Sequence, residues 1–354
     1  MRKIVLFNIG ISGGAGKAMI NLAKAFAEQG IEAHIISFKD SQYKIPKSIF
    51  FHKITSQNSP EGALKEKLDS LGEFDAIFSN STPSNKILSK LKLTNSIHIV
   101  HSAETKNYKG FFSKIKAYLR RKKYQKLYSN KHLIAVSKGL EKFILKELKA
   151  KPKSIKTIYN PFDFNQIKKL AKEEDKDIPK EPFIVHVARY DLTSKRHDIL
   201  LKAYKRANIP YKLYLIGSGE DEEKISNIIK ELELEDRVIL KGFLLNPYTW
   251  IKEAKLLVLS SDFEGFGLVL AEALSLGTPV VSTDAPEGPR EILTRELSKF
   301  LVSTGDIKSL SKSIKSALNR YPKIDIDFSY LDAHKIVNSY INIIKRVNNE
   351  NKIR

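Results

Sequence analysis

The chain has 354 residues, 42% of them hydrophobic, no cysteine, and a formal net charge of +21. That length suits two domains of ordinary size, the hydrophobic content excludes a disordered chain, and the missing cysteines exclude disulfides and thiolate chemistry, as in a reducing compartment. The charge is uneven: residues 1–160 hold 30 Lys and Arg against 11 Asp and Glu, and residues 161–354 hold 31 against 29, so an acidic partner would meet the first half.

Residues 4–9 read as a first strand, residues 10–16 (GISGGAG) as a flexible loop, residues 17–28 as a helix ended by Gly30, and residues 33–38 as a second strand. No apolar run approaches about 18 residues and a strand-like run begins at Ile4, so neither a signal peptide nor a transmembrane helix is expected. The glycine loop resembles a dinucleotide fingerprint but does not meet G-x-G-x-x-G. Nor is it a Walker A loop, because Gly16-Lys17 is followed by Ala18. By itself it is as readily a tight turn as a phosphate cradle.

Further strand-like runs cover 76–79, 97–100 and 132–136, and His101 stands directly after one of them. A lone histidine there is more often a structural hydrogen-bonding group than a catalytic one. From Lys106 to Lys131 there are ten Lys and Arg, and no acid lies between Thr105 and Leu140. Phe111, Phe112, Ile115, Tyr118 and Leu119 are interleaved with them at roughly helical spacing, ahead of Arg120-Arg121-Lys122-Lys123. Such a helix suits an anionic membrane surface or a lipid-linked acceptor first. A solvated helix packing its aromatics into its own domain comes second, and nucleic acid is a distant third.

The best boundary is 161–182, which opens on Asn160-Pro161-Phe162-Asp163, is rich in Lys, Glu and Asp, and carries Pro179 and Pro182. It separates an N-terminal α/β domain (1–160) from a second (183–325), with a closing helix in 326–354. Strand-like runs resume at 183–188, with Arg189 at the strand end and Lys195 in a polar loop; two cations there suit a diphosphate, although each taken alone is more often a surface charge. A strand at 214–216 leads to Gly217, and one at 238–240 leads to Gly242 and Phe243. Residues 255–293 then form a strand, a turn with Glu264, Gly265, Phe266 and Gly267, a helix from Leu268 carrying Glu272, and a strand at 280–283. This is a βαβ unit whose turn lies at the carboxyl edge of a parallel sheet, where open α/β folds bind ligands. Its glycines let backbone N–H groups approach an anion, and Glu272 is placed for hydroxyls of the same ligand. A nucleotide sugar requires that pairing.

The spacing Glu264-Gly-Phe-Gly to Glu272, followed by Gly277-Thr-Pro-Val-Val, resembles the E-x7-E signature of retaining glycosyltransferases of family 4, and the resemblance extends through most of the chain. It implies a GT-B fold: two Rossmann-like α/β domains with parallel sheets facing a central cleft, the donor mainly on the second, and a terminal helix crossing back to the first. It implies transfer with retention from a nucleotide diphosphate sugar, UDP favoured, to a glycan or lipid-linked saccharide, as in cell-surface polysaccharide, lipopolysaccharide or glycan assembly.

On the same resemblance Arg189 and Lys195 bind the donor diphosphate, although the usual glycines beside them are Ala188 and Arg196 here. Glu264 and His101 contact the sugar, and Glu272 holds the ribose. Gly13 and Gly14 face the diphosphate and acceptor, and Gly242-Phe243 enclose the base. DAPEGPRE (284–291) replaces the commoner Gly-Gly-x-x-Glu. No cofactor and no metal are expected, Asp325-Ile-Asp327 standing too near the terminal helices to serve as a D-x-D site. The expected place is the cytoplasmic face of a membrane, with no nucleic-acid partner. A GT-B sugar-nucleotide epimerase and a non-catalytic basic nucleotide-binding protein are the rival readings.

Overall fold

The computed structural model describes residues 1–55, 59–102, 111–286 and 288–352, with the backbone alone at 111–114, 116, 117 and 352. The chain divides into two compact units, Met1–Phe162 with Ser329–Arg354, and Asp163–Phe328.

The first unit runs β1 (Lys3–Asn8), α1 (Gly13–Glu28), β2 (Glu32–Ser37), β3 (Phe50–Lys53), α2 (Pro60–Leu71), β4 (Ala76–Ser79), α3 (Thr82–Lys90), β5 (Ser96–Val100), α4 (Phe111–Tyr128), β6 (His132–Ala135), α5 (Lys138–Lys142) and β7 (Ser154–Thr157). Its seven strands lie in the order β3-β2-β1-β4-β5-β6-β7, and every pairing is parallel. β4 and β5 are buried along their whole length, as strands covered on both faces must be. Val5, Phe7, Ile36 and Ile77 pack with Leu64 and Leu68 of α2 and Ile87 and Leu88 of α3.

The second unit runs α6 (Phe164–Leu170), β8 (Phe183–Val187), α7 (His197–Ala207), β9 (Lys212–Ile216), α8 (Glu222–Glu231), β10 (Val238–Gly242), α9 (Tyr248–Glu253), β11 (Leu256–Leu259), α10 (Leu268–Ser275), β12 (Val280–Thr283), α11 (Pro289–Ile292), β13 (Leu301–Val302) and α12 (Ile307–Asn319). Its six parallel strands are ordered β10-β9-β8-β11-β12-β13. The stretch read as a linker is built into this unit. Ile167 of α6 is buried, and the Trp250 indole N–H of α9 donates to Asp175 at 2.8 Å.

The chain then returns to the first unit with α13 (Ala333–Lys352), whose Tyr340 meets Phe26 of α1 and Phe78 of β4 edge-on at 6.1 and 5.4 Å. In each sheet the strand order reverses once, between β1 and β4 and between β8 and β11. Crevices at the carboxyl ends of such strand pairs are the ligand sites of open α/β sheets.

Candidate active site

In the second unit the two loops leaving the switch-point strands are tied together. Asp191 accepts from the backbone of Thr193 and Ser194 and from the Ser194 hydroxyl, while its own carbonyl accepts from Lys195 N–H. This turn spaces Arg189 from Lys195. Burial pushes the Asp191 carboxyl up, but the Ser194 hydrogen bonds and the Arg189 guanidinium, 2.6 Å away, outweigh it and hold the group down to about 2. The loop after β11 docks on this turn through Asp262 N–H to the Ser194 carbonyl, 2.8 Å, and the Ser260 hydroxyl to the Lys195 carbonyl, 2.7 Å.

The same docking brings two expected site residues into contact. Lys195 Nζ donates to Glu264 Oε1 at 2.5 Å, and the Ser261 hydroxyl donates to the same oxygen at 2.6 Å. The Lys195 and Glu264 side chains are only 21% and 12% exposed, so the pair is shielded from solvent far better than a surface bridge. Arg196 is left-handed at φ 51 and ψ 50, which accounts for glycine being the usual residue there. Its guanidinium is held by Asp198 at 2.9 Å and by Asp262 at 2.5 Å.

The glycine turn delivers the helix. Gly267 precedes α10 at φ 86, a conformation few other residues adopt, and Gly265, Phe266 and Gly267 bring the backbone to the helix N-terminus beside Glu264. No side chain caps this N-terminus, and a helix dipole favours an anion there. Gly265, Phe266 and Gly267 are all buried, Phe266 at 2% exposure, so the Phe266 ring belongs to the core and does not make the ligand contact expected of it. Glu272 lies one turn into α10, half-buried, and accepts from the Tyr248 hydroxyl of α9 at 2.8 Å. Gly217 N–H donates to the Gly242 carbonyl, joining the ends of β9 and β10, and Phe243 follows with its ring 41% exposed. β10 is two strands from β8, so this group stands about 10 Å from Arg189 by strand spacing.

The first unit carries its own cluster. Gly13 and Gly14 are exposed in the first turn of α1 rather than in a loop ahead of it, and the Tyr43 hydroxyl donates to the Gly13 carbonyl. His101 follows β5, half-buried, with Nε2 2.8 Å from Asn80 Oδ1. Asn80 Nδ2 in turn donates to the Ala15 carbonyl at 2.8 Å, linking His101 to the α1 turn. Burial pushes the His101 ring down to about 4.

Asn80, Asp191, Tyr248 and Gly288 are absent from the reading of the sequence. A Cβ on Gly288 would lie 2.6 Å from the Phe266 backbone, so Gly288 packs directly onto the glycine turn. A polar residue immediately after β4 at the switch point was the available signal for Asn80. Nothing in composition or spacing marks the other three. Among the described residues no group of three His, Asp or Glu side chains is placed to hold a metal ion.

Residues 12–166 match the family model described as Glycosyltransferase Family 4, and residues 167–326 match that of Glycosyl transferases group 1. A Campylobacter jejuni relative, N-acetylgalactosamine-N,N'-diacetylbacillosaminyl-diphospho-undecaprenol 4-alpha-N-acetylgalactosaminyltransferase, is 34% identical over 183 residues, 51% of this chain and 49% of the relative. The chain thus spans about half the length of that relative. An uncharacterised glycosyltransferase of Haemophilus influenzae is 26% identical over 93% of this chain and 94% of its own. Among solved structures, Anabaena HepE in complex with UDP and glucose superposes with a TM-score of 0.71 at 21% identity, covering 99% of this chain and 98% of that one.

Two parallel α/β units of this topology, matched along nearly their whole length by such structures, define a GT-B glycosyltransferase fold. With contiguous family matches from residue 12 to residue 326, the chain belongs to glycosyltransferase family 4.

Proposed function

We propose that this protein is a retaining, metal-independent glycosyltransferase that moves a hexosyl or N-acetylhexosaminyl group from a UDP-sugar to a glycan or lipid-linked saccharide, in the assembly of cell-surface polysaccharide, lipopolysaccharide or a related glycan. The observation that carries this reading is the cluster at one carboxyl edge: Arg189, Lys195, the α10 N-terminus and Glu264, with Glu272 beyond. UDP is preferred because a structure of the same fold holds it, and a lipid-linked acceptor because the Campylobacter relative is named for one.

In this reading the anomeric carbon–oxygen bond to the leaving diphosphate breaks as the acceptor oxygen bonds to the same face. The acceptor hydroxyl proton passes to the leaving phosphate oxygen, so no protein nucleophile is needed. Arg189 and Lys195 stabilise the charge that grows on that phosphate, together with the N–H groups of the glycine turn. Both cations are held by carboxylates before the donor arrives, which fixes their geometry. A diphosphate drawing Lys195 toward itself would free Glu264 to orient sugar hydroxyls. Glu272, fixed by Tyr248, would hold the ribose.

The first unit supplies the membrane side. On α4, Ile115, Tyr118 and Leu119 are 50%, 58% and 61% exposed, spaced three and four apart so that they share a helix face. Lys122, Lys123 and Lys126 are exposed beside them, whereas Tyr124 and Tyr128 turn inward. Phe111 and Phe112 have side chains outside the described residues, and the basic run from Lys106 to Lys109 lies wholly outside them. Like charges crowd the patch: burial, then Lys123 and Arg120, lower the pKa of Lys86 on α3. An amphipathic basic helix of this kind suits the anionic cytoplasmic face of a membrane, where a lipid-linked acceptor would lie. No helix among the described residues is long and apolar enough to cross a membrane.

The test is a panel of UDP-, GDP- and ADP-sugars, with and without a polyprenyl-diphosphate saccharide and with EDTA. Acceptor-dependent release of one nucleoside diphosphate, unchanged by EDTA and with the anomeric configuration kept, is expected. An altered sugar without acceptor would instead make the protein an epimerase, and inversion or loss of turnover in EDTA would overturn the mechanism.

A further inference from the structure

Asn80 follows β4 at the switch point of the first sheet, 1% exposed, with its backbone N–H donating to the Phe7 carbonyl of β1. Its side chain lies between two acceptor-or-donor choices that fix one another. A backbone carbonyl can only accept, so the amide nitrogen must face Ala15, 2.8 Å away. The amide oxygen must then face His101, and that oxygen too can only accept. His101 Nε2, 2.8 Å from it, therefore carries the hydrogen. With burial holding the ring neutral, and no neighbouring charge contributing among the described residues, Nδ1 is left bare. The Asn80 contact through Nε2 is the one hydrogen bond of the His101 ring among the described residues, and unlike the sealed His186 and His197 the residue is partly exposed.

We propose that Asn80 is a positioning residue that locks His101 in its Nε2–H tautomer, so that Nδ1 offers a hydrogen-bond acceptor to a hydroxyl of a saccharide at the carboxyl edge of the first sheet. This rests on the sugar contact that the family resemblance implies for His101. It also defines what His101 does not do: a bare Nδ1 takes a hydrogen bond and has no proton to give, so His101 is not a general acid toward the leaving group. Because the same amide grips the first turn of α1, the ring is tied to that turn.

The experiment is a long-range ¹H–¹⁵N correlation of the full chain labelled with ¹⁵N-histidine, the His101 signals being those lost in His101→Gln. A neutral Nε2–H form near pH 7 is expected. A Nδ1–H or charged ring would overturn the proposal, and this reading of the wild type needs no variant at Asn80. Kinetically, Asn80→Ala should mix the two tautomers and lower kcat about tenfold, the worth of one buried hydrogen bond. In the His101→Gln background it should cost nothing further. A structural Asn80 would cost the same kcat in both backgrounds and so refute a role through His101. Full turnover in His101→Gln alone would remove the sugar contact itself, a failure visible separately from the tautomer.

Discussion

Acid should weaken the second unit because His186 and His197 are buried there without charge. Both are fully enclosed and meet edge-on at 4.7 Å. His186 Nδ1–H donates to the Val258 carbonyl at 2.8 Å, but its Nε2 and both nitrogens of His197 have no partner at hydrogen-bond geometry among the described residues. Burial pushes His186 down to about 4 and His197 down to about 2. The neighbouring charges oppose one another: Lys195 lowers both rings, whereas Glu264 raises His186 and Asp191 raises His197.

The unfolded chain takes up these protons near pH 6.5, and the folded chain does so only much lower. The stability the neutral rings supply is therefore complete above about pH 6.5 and is lost as pH falls toward the folded values. Between about pH 7.5 and pH 5 each ring costs about 2 kcal/mol, so the pair costs roughly 4, a large share of the 5–15 kcal/mol typical of a domain. For a unit of this size that is a fall in Tm of roughly 8–16 °C. Replacing His197 with Leu should return about half of it. The assay is calorimetry of wild type and His197→Leu at the two pH values. The buried His98 and His101 of the first unit act equally on both proteins and cancel. If wild type and variant lost the same Tm on acidification, the burial argument would be wrong.

Arg189→Ala and Lys195→Ala should each lower turnover about 10²–10³-fold; a loss under tenfold in either would remove it from the leaving-group role. Glu272→Ala should weaken binding of the free nucleoside diphosphate, and an unchanged Kd in calorimetric titration would cancel the ribose contact. Gly288→Ala should lower kcat/KM by forcing the Phe266 backbone to shift; wild-type kinetics would mean that the glycine turn yields without cost. Changing Lys122, Lys123 and Lys126 to Gln together with Leu119→Asp should release the protein from anionic vesicles in co-sedimentation while donor binding persists. Arg121 is left in place because its guanidinium anchors α4 to the Glu147 carbonyl. Binding that survives those changes, or that ignores salt, would return α4 to an ordinary surface helix.

The β11–α10–β12 unit was legible because its apolar period changes from 2 to 3.6 across a glycine turn, a local signal. The central strands were legible for a similar reason, being short apolar runs bounded by turn residues. The start of α1 was misread: glycine is a poor helix former, so the reading began at Lys17, whereas the helix begins at Gly13. The stretch 161–182 looked like a linker because its charged residues mask α6, which is held by contacts made some 75 residues later, such as Asn246 Nδ2 to the Leu170 carbonyl. β3 escaped notice as a half-exposed edge strand with no alternating pattern. The partners of the site residues were hidden for the same reason as α6. Tyr248 meets Glu272, and Asn80 meets both Ala15 and His101, only after the sheets form, and no period within a window of sequence encodes such pairs.

The return of the chain to its first unit sets an order of events during synthesis. α13 leaves the ribosome only after the whole of the second unit, which is continuous in sequence and can close on its own. At about 5–20 residues per second, the first unit waits roughly 10–40 s with the Phe26 and Phe78 surface lacking Tyr340. The unit begun first is thus completed last. A chain ended at residue 328 should present that uncovered aromatic face to chaperones.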